Sequence, residues 1–371
     1  MVLSRSDAAA RPASTRPTAL WVVPVSALAG VARHVLDVAG HGIPGWRHVV
    51  LCPPGPLADR LAATGAAVMV GPVGPQAGAA RSVATVRHAL RTLRPAVVHS
   101  HLAHADLVVA AAVPGTGAAH VSTEHGIAAD DRVYHAGRGR SAAMAAVHAA
   151  RLHRADAVLA VSEATAATVR DRWHPPRRLP VRVVRNGVDP VPLADRRTPG
   201  PSSGDGPHVL SLARLSPEKR PADLVEAFAV LHRRHPTARL TLAGDGPLAE
   251  PLRRLRHDLG LDLAVELPGH VDPGPLLDTA DVLVQLSVWE NASYALLDAL
   301  AHGLGVVATP VGGNPELLPQ RCLVEADDRD AVAAAIESQA EAAARPELPE
   351  GWPTVAEMCD ALAEAYAEVA R

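Results

Sequence analysis

Aromatic residues and lysine are both scarce in this chain of 371 residues. Aromatic side chains make up 2% of the residues, with Phe228 the single phenylalanine, whereas apolar residues reach 48%. Alanine, valine and leucine must therefore fill the cores, and the length allows two domains of ordinary size.

The chain also has few cysteines and nearly equal numbers of positive and negative side chains. The three cysteines, Cys52, Cys322 and Cys359, lie far apart and show neither C-x-x-C nor zinc-finger spacing, so we expect a reducing, cytoplasmic location. A net charge of −3 offers no basic field for nucleic acid. The chain contains no G-x-G-x-x-G string and no P-loop, which disfavours a plain NAD enzyme. No window reaches the ~18 uncharged apolar residues of a membrane span.

The N-terminal segment has two readings. Residues 1–16 are rich in Ala, Arg, Ser and Pro, which predicts a disordered tail. The apolar run Ala19–Gly30 that follows resembles a signal peptide, but it is short and Pro24 interrupts it. We favour a first buried strand followed by a glycine turn.

Short apolar runs alternate with helical patterns along the chain, which predicts an α/β fold of βαβ units with parallel sheets. Strands are expected in the first half at Ala19–Val25, His48–Cys52, Ala67–Val70, Ala96–Ser100, Ala118–Ser122, Ala157–Val161 and Val181–Val184. Strands are expected in the second half at His208–Leu212, Arg239–Ala243, Ala264–Leu267, Val282–Gln285, Gly305–Ala308 and Cys322–Val324.

A stretch crowded with Pro, Gly and Ser divides these halves. It predicts a linker at 190–207 between an N-terminal domain at 17–189 and a C-terminal domain at 208–353. The last helical pattern, 354–371, packs on its own domain or crosses back to the first. Ligands of such sheets bind at the carboxyl ends of the strands, where most of the motifs below fall.

Lys219 is the only lysine, and it lies in the string A-R-L-S-P-E-K-R that runs from Ala213 to Arg220. Arg214 precedes it by five residues, directly after a predicted strand. Two cations at a strand end can hold a diphosphate and neutralise its charge as it leaves. The alternative is a solvated loop with unrelated charges.

A second motif follows the strand Val282–Gln285 and reads W-E-N-A-S-Y-A-L-L-D, residues 289–298. A loop carries Glu290, and a helix begins near Ser293, whose free N–H groups and positive dipole end suit phosphate. Asp298 lies about 1.5 turns further on, so the two carboxylates should not form a glycosidase pair ~5 Å apart. The two carboxylates could bind two parts of one extended ligand. Alternatively, Glu290 could only interact with the positive end of the helix dipole, and Asp298 could be an ordinary surface residue.

Two glycine turns also lie at strand ends. The first contains Gly244 and Gly246, and the second is P-V-G-G-N-P-E at 310–316, where Pro315 opens a helix. The second turn could bring backbone close to a ligand or simply connect a strand to a helix.

Histidines cluster at two predicted strand ends. His99, His101 and His104 share one string, and His125 belongs to T-E-H-G at the next strand end. With Asp106 they invite a zinc hypothesis, but the chain holds 19 histidines, so local clusters are expected. We therefore predict no metal, and we expect His125 to hydrogen-bond a sugar or acceptor hydroxyl.

Taken together, these strings resemble the retaining glycosyltransferases of family 4, also called glycosyl transferases group 1. The resemblance includes L-P-G-H-V at 267–271, R-A-D-A-V-L-A-V-S-E-A at 154–164 and V-R-N-G-V-D at 184–189, and it covers nearly the whole chain after residue 17. It implies the GT-B fold, in which two Rossmann-like α/β/α domains face each other across a cleft.

The resemblance also implies roles for the motif residues. Arg214 and Lys219 would bind the diphosphate of a nucleotide-sugar donor such as a UDP- or GDP-sugar, Glu290 would face its sugar, and Asp298 would hold its ribose. The remaining expected donor-binding positions are Gly30, Gly244, Gly269, His270, Val271, Asn291, Ala292 and Ser293. His125 would lie near the reacting centre and the hydroxyl acceptor. Such enzymes need no metal and no cofactor.

Three positions depart from the family pattern. Asp298 stands where the second glutamate of Glu-x7-Glu is usual, and Asn291-Ala292-Ser293 replaces the Gly-Phe-Gly that often follows the first. Arg220 follows Lys219 where glycine is common. The replacement of Gly-Phe-Gly by Asn291-Ala292-Ser293 alters the floor of the sugar pocket and leaves the identity of the donor open.

Other functions remain open at this stage. A nucleotide-sugar epimerase of the same fold would release a rearranged sugar without an acceptor, and a non-catalytic nucleotide-sugar-binding protein would release none. The basic, partly amphipathic stretch Arg138–Arg154 could lie on an anionic membrane, although an ordinary helix with solvated arginines explains it too.

Overall fold

The computed structural model describes residues 16–126, 147–192 and 206–370. It divides the chain into two compact units, of which the first comprises Met1–Gly187 and Pro353–Arg371 and the second Val188–Trp352. All but the last residue of the expected tail, and residues 193–205 of the expected linker, lie outside the described residues.

The first unit contains a seven-stranded sheet. Its strands are β1 (Thr18–Val22), β2 (Arg47–Cys52), β3 (Val68–Val70), β4 (Val97–His101), β5 (Ala119–Glu124), β6 (Ala157–Ala160) and β7 (Val181–Val183). They pair in parallel in the order β3-β2-β1-β4-β5-β6-β7. Its helices are α1 (Gly30–His41), α2 (Pro56–Ala63), α3 (Ala79–Leu93), α4 (Leu102–Ala112), α5 (147–152) and α6 (Glu163–Trp173).

Strand β1 shows why both faces of this sheet are covered by helices. Successive side chains of a strand point to opposite faces, so Ala19 and Trp21 enter one core while Leu20 and Val22 enter another. The first core is shared with α1 and α2, and the second with α3 and α4. An all-parallel sheet buried on both faces is the result.

The second unit contains a five-stranded parallel sheet in the order β10-β9-β8-β11-β12. These strands are β8 (His208–Leu212), β9 (Arg239–Ala243), β10 (Val265–Gly269), β11 (Val282–Gln285) and β12 (Gly305–Ala308). The helices are α7 (Pro221–Arg234), α8 (Ala249–Asp258), α9 (Gly274–Thr279), α10 (Tyr294–His302), α11 (Asn314–Leu317) and α12 (Arg329–Glu341).

The strand predicted at Cys322–Val324 is wrong. Residues Gln320–Cys322 form a 3-10 turn, in which the N–H of Cys322 donates to Pro319 and that of Leu323 donates to Gln320. Those bonds use backbone groups that a strand would present to β12, so a single bridge between Ala308 and Leu323 remains.

Each sheet has one point where the strand order reverses. In the first unit the chain runs from β1 outward to β3 and then returns to β4 on the other side of β1. In the second unit it runs from β8 outward to β10 and returns to β11. Loops that leave neighbouring strands in opposite directions open a crevice at the carboxyl edge, which is where ligands of such sheets bind.

The C-terminal helix α13 (Val355–Val369) belongs to the first unit. Thr354 and Glu357 form a capping box at its start, and its apolar side chains enter the core that contains Trp21. At its end the Trp21 indole N–H donates to the Tyr366 hydroxyl at 2.7 Å, and that hydroxyl lies 2.5 Å from Nδ1 of His99. A buried polar network therefore joins the last helix to β1 and β4.

None of the described helices combines the length and apolar character required to cross a membrane. The three cysteines are buried, and none of them forms a disulfide bond.

The Tyr366 hydroxyl should be the main polar anchor of α13. Tyr366→Phe leaves the buried Trp21 N–H and one His99 nitrogen without their hydrogen-bond partner. This should lower the free energy of unfolding by ~2 kcal/mol or more, because no hydrogen bond then offsets the removal of these groups from water. Urea unfolding should show a lower midpoint at unchanged slope. Glu364→Gln, on the exposed face of the same helix, should stay within about 0.5 kcal/mol of wild type. Equal stability of both variants would contradict the anchor.

Candidate functional site

The carboxyl edge of the second sheet brings most of the predicted donor-site residues onto neighbouring loops. Arg214 and Lys219 follow β8, and Glu290 follows β11. Because β8 and β11 are adjacent and their connections diverge, these loops flank the point where the strand order reverses.

Lys219 and Glu290 form an ion pair across this point. The ammonium nitrogen of Lys219 lies 2.5 Å from Oε2 of Glu290, and the Ser287 hydroxyl donates to the same oxygen at 3.0 Å. Their side chains are 19% and 13% exposed, so solvent screens the pair less than a surface bridge. The single lysine is thereby held in one place, and the two residues expected to bind separate parts of a ligand touch each other.

Arg214 is exposed, in contrast to this pair. Within residues 16–126, 147–192 and 206–370, no carboxylate pairs with its guanidinium. Its backbone carbonyl accepts from the N–H of Ser216 at 2.9 Å, which shapes the loop without engaging the side chain. A fork of N–H donors is thus available for an anionic ligand at the sheet edge.

The glycine turn after β9 supports the Arg214 loop. A Cβ on Gly244 would lie 1.9 Å from the carbonyl oxygen of Ala213, and one on Gly246 would lie 2.3 Å from that of Leu215. The N–H of Leu215 also donates to the carbonyl of Asp245 at 3.0 Å. These glycines permit close packing of two loops, which favours the structural reading of the turn.

The second glycine turn packs against Glu290 in the same way. Gly312 adopts φ 53°, and a Cβ there would lie 1.6 Å from the backbone carbonyl oxygen of Glu290. Only glycine fits this approach and this dihedral angle, so the loop after β12 holds the backbone of the Glu290 loop.

Three buried polar residues that we did not predict extend this support. The Thr309 hydroxyl donates to the carbonyl of Ser287 at 2.6 Å, and the Asn314 amide donates to the carbonyl of Thr309 at 2.9 Å. All three residues are buried. The sequence signal for Ser287 and Thr309 was their position just after an apolar strand, where a further apolar residue would be ordinary, whereas Asn314 is the first residue of α11.

Helix α10 begins beside Glu290. Its N-cap is Ser293, whose hydroxyl accepts from the Gln285 amide at 2.8 Å and does not cap the helix. Asn291 and Ser293 are buried and Ala292 is half-buried. Asp298 lies within α10 and is 9% exposed. It is therefore more buried than the surface aspartate that the alternative interpretation predicts.

The predicted base-binding residues lie at the far side of this edge. Gly269 ends β10 with φ 80° and accepts from the N–H of Gly244 at 2.8 Å, while His270 and Val271 are exposed just beyond it. Three strand spacings separate β10 from β11, or roughly 14 Å. A ligand touching both ends of the site must therefore be extended.

Arg220 explains one departure from the family pattern. It adopts the left-handed conformation with φ 49°, in which glycine pays no steric cost. Its guanidinium instead pairs with Asp327 at 2.7 Å.

The first unit gathers histidines at its own carboxyl edge. His34 in α1, His101 at the end of β4 and His125 after β5 place one ring nitrogen each within 4.8 Å of the others. Nδ1 of His101 lies 2.7 Å from Nε2 of His125. These residues surround the point between β1 and β4 where this sheet reverses its strand order.

This group differs from the cluster that the sequence suggested. His99 uses both ring nitrogens, on Tyr366 and on Thr123 at 2.6 Å, and His104 contacts Ser82 at 3.3 Å. Of the suggested set, His101 and His125 belong to this group, His99 packs beside His101 with ring centroids 4.4 Å apart, and His34 was missed. A helix that starts after β1 turns His34 toward β4, a relation that no local string encodes.

Gly30, predicted to lie near the donor, is the first residue of α1 on this same edge. A Cβ there would meet no atom within 4 Å, so packing within the described residues does not require glycine. The role that the resemblance implies for it stays a prediction.

Burial keeps the clustered histidines neutral. Desolvation lowers the pKa of His34 to about 4, against the opposing hydrogen bond from Asn186, and it lowers the pKa values of His101 and His125 well below their usual range. The same burial acts on His99. At neutral pH these rings therefore present lone pairs rather than positive charge.

A buried charged triad lies beside His125. Arg151 in α5 pairs with both Asp106 and Glu124, and Asp106 also accepts from the hydroxyls of Ser100 and Ser122 at 2.5 and 2.8 Å. Desolvation raises the pKa of Glu124 to about 7, even though Arg151 acts in the opposite direction. The triad holds the end of β5, from which His125 extends.

The triad accounts for one arginine of the stretch Arg138–Arg154. Residues 138–146 lie outside the described residues, but the Arg151 side chain is only 1% exposed. It contacts two carboxylates inside the unit, so it is available neither to solvent nor to a lipid surface.

Comparisons with known proteins agree with this architecture. Residues 28–191 match the model of Glycosyltransferase Family 4, and residues 206–341 match that of Glycosyl transferases group 1. Together the two matches span most of the chain. The protein belongs to this family of glycosyltransferases.

Curated relatives match over parts of their length. A glycogen synthase of Mycobacterium tuberculosis is 30% identical over 239 residues, which cover 61% of this chain and 55% of the relative. A GDP-mannose-dependent alpha-(1-6)-phosphatidylinositol monomannoside mannosyltransferase of Mycolicibacterium smegmatis is 33% identical over 180 residues, covering 40% and 44%. The chain thus spans about half the length of the curated relatives it matches.

Solved structures establish the fold. Alr3699/HepE of Anabaena, solved with UDP-glucose, superposes with a TM-score of 0.78 at 19% identity, covering 95% of this chain and all of that one. The two Rossmann-like α/β units described above are those of the GT-B fold, as the resemblance implied.

Acid should destabilise the protein through its buried histidines. The folded state holds His34 with a pKa of about 4, below the 6.5 of the unfolded chain, so stability is greatest above about pH 6.5 and falls as the pH drops toward 4. Between pH 7 and pH 5, the free energy of unfolding of His34→Phe should fall by about 2 kcal/mol less than that of wild type, as measured by urea unfolding.

The comparison of variants measures the effect of His34 together with its electrostatic effect on His48, His99, His101 and His125. Glu124 contributes with the opposite sign, because its raised pKa favours the folded state at lower pH, but it acts equally in both proteins. The exposed His88→Phe should reproduce the wild-type pH dependence. An unchanged slope in His34→Phe would refute the assignment.

Gly312→Ala should disturb the Glu290 loop. The added Cβ overlaps the backbone of Glu290 and forces a positive φ on alanine, so we expect a loss of about 1–3 kcal/mol in unfolding free energy. The matched control Gly30→Ala has open space and should change stability by less than about 0.5 kcal/mol. Similar unfolding midpoints for the two variants would contradict the packing.

Proposed function

We propose that the protein is a retaining glycosyltransferase that moves a sugar from a nucleotide-diphosphate sugar to a hydroxyl acceptor. The observation that carries the proposal is the pair of cations at the reversal point of the second sheet. Lys219 is fixed there by Glu290, and Arg214 stands nearby on the same loop with its guanidinium exposed.

The layout of the edge supports an extended donor. The diphosphate would bind Arg214, Lys219 and the positive end of α10, and its nucleoside would extend toward Gly269 and Val271. The roughly 14 Å between β11 and β10 suits a nucleotide sugar better than a small anion. Asp298 is the candidate for the ribose hydroxyls.

Stabilisation of the leaving group is the proposed source of catalysis. Cleavage of the anomeric bond places charge on the diphosphate, and each charge-assisted hydrogen bond there contributes ~1.5–3 kcal/mol. The two side-chain cations supply this charge from the protein itself, so the proposal requires no metal cofactor.

Glu290 is better placed to hold the donor sugar than to attack it. Its carboxylate already accepts from Lys219 and Ser287, which lowers its nucleophilicity. Retention, which rests on the family resemblance, would then follow from front-face attack by the acceptor hydroxyl. Neutral His125 is the candidate for a hydrogen bond to the sugar or the acceptor.

The relatives differ in their donor nucleotide, so the donor of this protein must be identified by experiment. One is named for dependence on GDP-mannose, and a structural neighbour is solved with UDP-glucose. Asn291, Ala292 and Ser293 differ from the common family residues next to the sugar, so the donor sugar has to be found by a panel.

The test is calorimetric binding of UDP, GDP, ADP and dTDP in the presence of EDTA. One nucleotide should bind wild type, and Arg214→Ala should weaken it by about tenfold or more, the loss of one charge-assisted hydrogen bond. Arg214→Ala is the cleanest variant because no described carboxylate loses a partner. Arg233→Ala, on the exposed surface of α7, also leaves no described carboxylate without a partner, so it is the matched control and should bind like wild type.

Lys219→Ala must be compared with a second variant, because it leaves the Glu290 carboxylate unpaired beside the proposed diphosphate site. The double variant Lys219→Ala with Glu290→Gln removes that repulsion and should bind more tightly than Lys219→Ala but more weakly than wild type. Failure of every nucleotide to bind folded wild type would overturn the proposal. Release of a rearranged free sugar without an acceptor would identify an epimerase instead.

A further inference from the structure

The histidine group of the first unit has the composition of a metal site. His34 and His101 are 1% and 0% exposed, His125 is half-buried, and one ring nitrogen of each lies within 4.8 Å of the others. We propose that these three imidazoles bind one divalent transition-metal ion, with Zn²⁺ as the preferred ion.

The distances require only small movements. Three histidines at ~2.0–2.1 Å from a tetrahedral Zn²⁺ lie about 3.3 Å apart at their ligating nitrogens. The His101 and His125 nitrogens are 2.7 Å apart and must separate slightly, while the widest gap of at most 4.8 Å must close. Rotations of the imidazole rings of this size need no movement of the strands.

Metal binding requires one change of tautomer in the His101–His125 pair. The His101–His125 hydrogen bond means that one of its two nitrogens carries a proton and the other accepts. A metal ion needs both lone pairs, so that proton moves to the other nitrogen of the same ring, and no proton leaves the site. Nε2 of His101 has no partner among the described residues, so no existing bond is broken when it becomes the protonated nitrogen.

The surrounding residues hold the rings in place. His34 is hydrogen-bonded to Asn186, a contact that restrains the orientation of its ring. His101 packs on Trp21 with ring centroids 4.3 Å apart, and the next residue, Leu102, is forced into the left-handed region with φ 71°. Strain of this kind persists where a side chain must keep one direction.

Three neutral ligands leave a fourth tetrahedral position. With no carboxylate in the group, a bound Zn²⁺ keeps its full charge and takes water or a ligand hydroxyl there. Because His125 is also the candidate contact for the transferred sugar or acceptor, metal loading should inhibit transfer. That consequence rests on the proposed function, whereas metal binding itself does not.

The test is a Co²⁺ titration of full-length, tag-free protein stripped with EDTA, followed by visible absorption. Wild type should bind one equivalent with the intense bands of tetrahedral cobalt, and Zn²⁺ should displace it. His34→Gln and His125→Gln should each weaken binding by about 100-fold or more, at least the loss seen when outer contacts of metal ligands are removed.

His104→Gln is the matched control, because His104 belongs to the same H-x-H-x-x-H string but lies on Ser82 outside the group. It should bind Co²⁺ like wild type. Circular dichroism checks that each variant is folded, and three shifted imidazole N–H resonances in the Co²⁺ protein count the ligands without any substitution. Absence of stoichiometric binding by wild type, or equal losses in His104→Gln and His125→Gln, would overturn the site whether or not nucleotides bind.

Discussion

Both units depend on the parallel alignment of strands that are buried on both faces. This arrangement directs every strand toward the same edge and buries both faces of the sheet, so a polar side chain within a strand needs a hydrogen-bond partner, as His99 and Ser122 have. The residues of both candidate sites lie mainly where the strands end. The two reversal points, between β1 and β4 and between β8 and β11, open that edge to a ligand.

The two edges use opposite electrostatics. In the second unit a lysine and a glutamate neutralise each other while the guanidinium of Arg214 is exposed, so an anion meets a free donor with little reorganisation. In the first unit burial holds the histidines neutral, and the charged residues buried beside them form the triad of Arg151, Asp106 and Glu124. One edge is thus suited to phosphate, and the other to hydroxyl groups or a metal ion.

Stability and function draw on the same groups in the first unit. Removing imidazoles and a charged triad from water costs free energy that well-packed apolar residues would not cost. Part of this cost is offset by hydrogen bonds, such as the path from Trp21 through Tyr366 to His99 and Thr123. The C-terminal helix takes part in this path, so the last helix of the chain supports the strand that carries His101.

Much of the fold could be read from local patterns. Four strands of the second unit, His208–Leu212, Arg239–Ala243, Val282–Gln285 and Gly305–Ala308, begin and end where the apolar runs predict, because a buried parallel strand needs a continuous apolar run. The run Cys322–Val324 failed because turn hydrogen bonds claimed its backbone, and apolar character alone does not show which partner a backbone group will choose.

The sequence by itself determined the residues at the strand ends, including the only lysine, the glycine turns and the T-E-H-G string. Tertiary structure alone decided which of them meet: Lys219 with Glu290, Gly312 with the Glu290 backbone, and His34 with His101 and His125. The physical reason is that strand order brings together loops far apart in the chain, and strand order depends on how whole helices cover a sheet rather than on any local string.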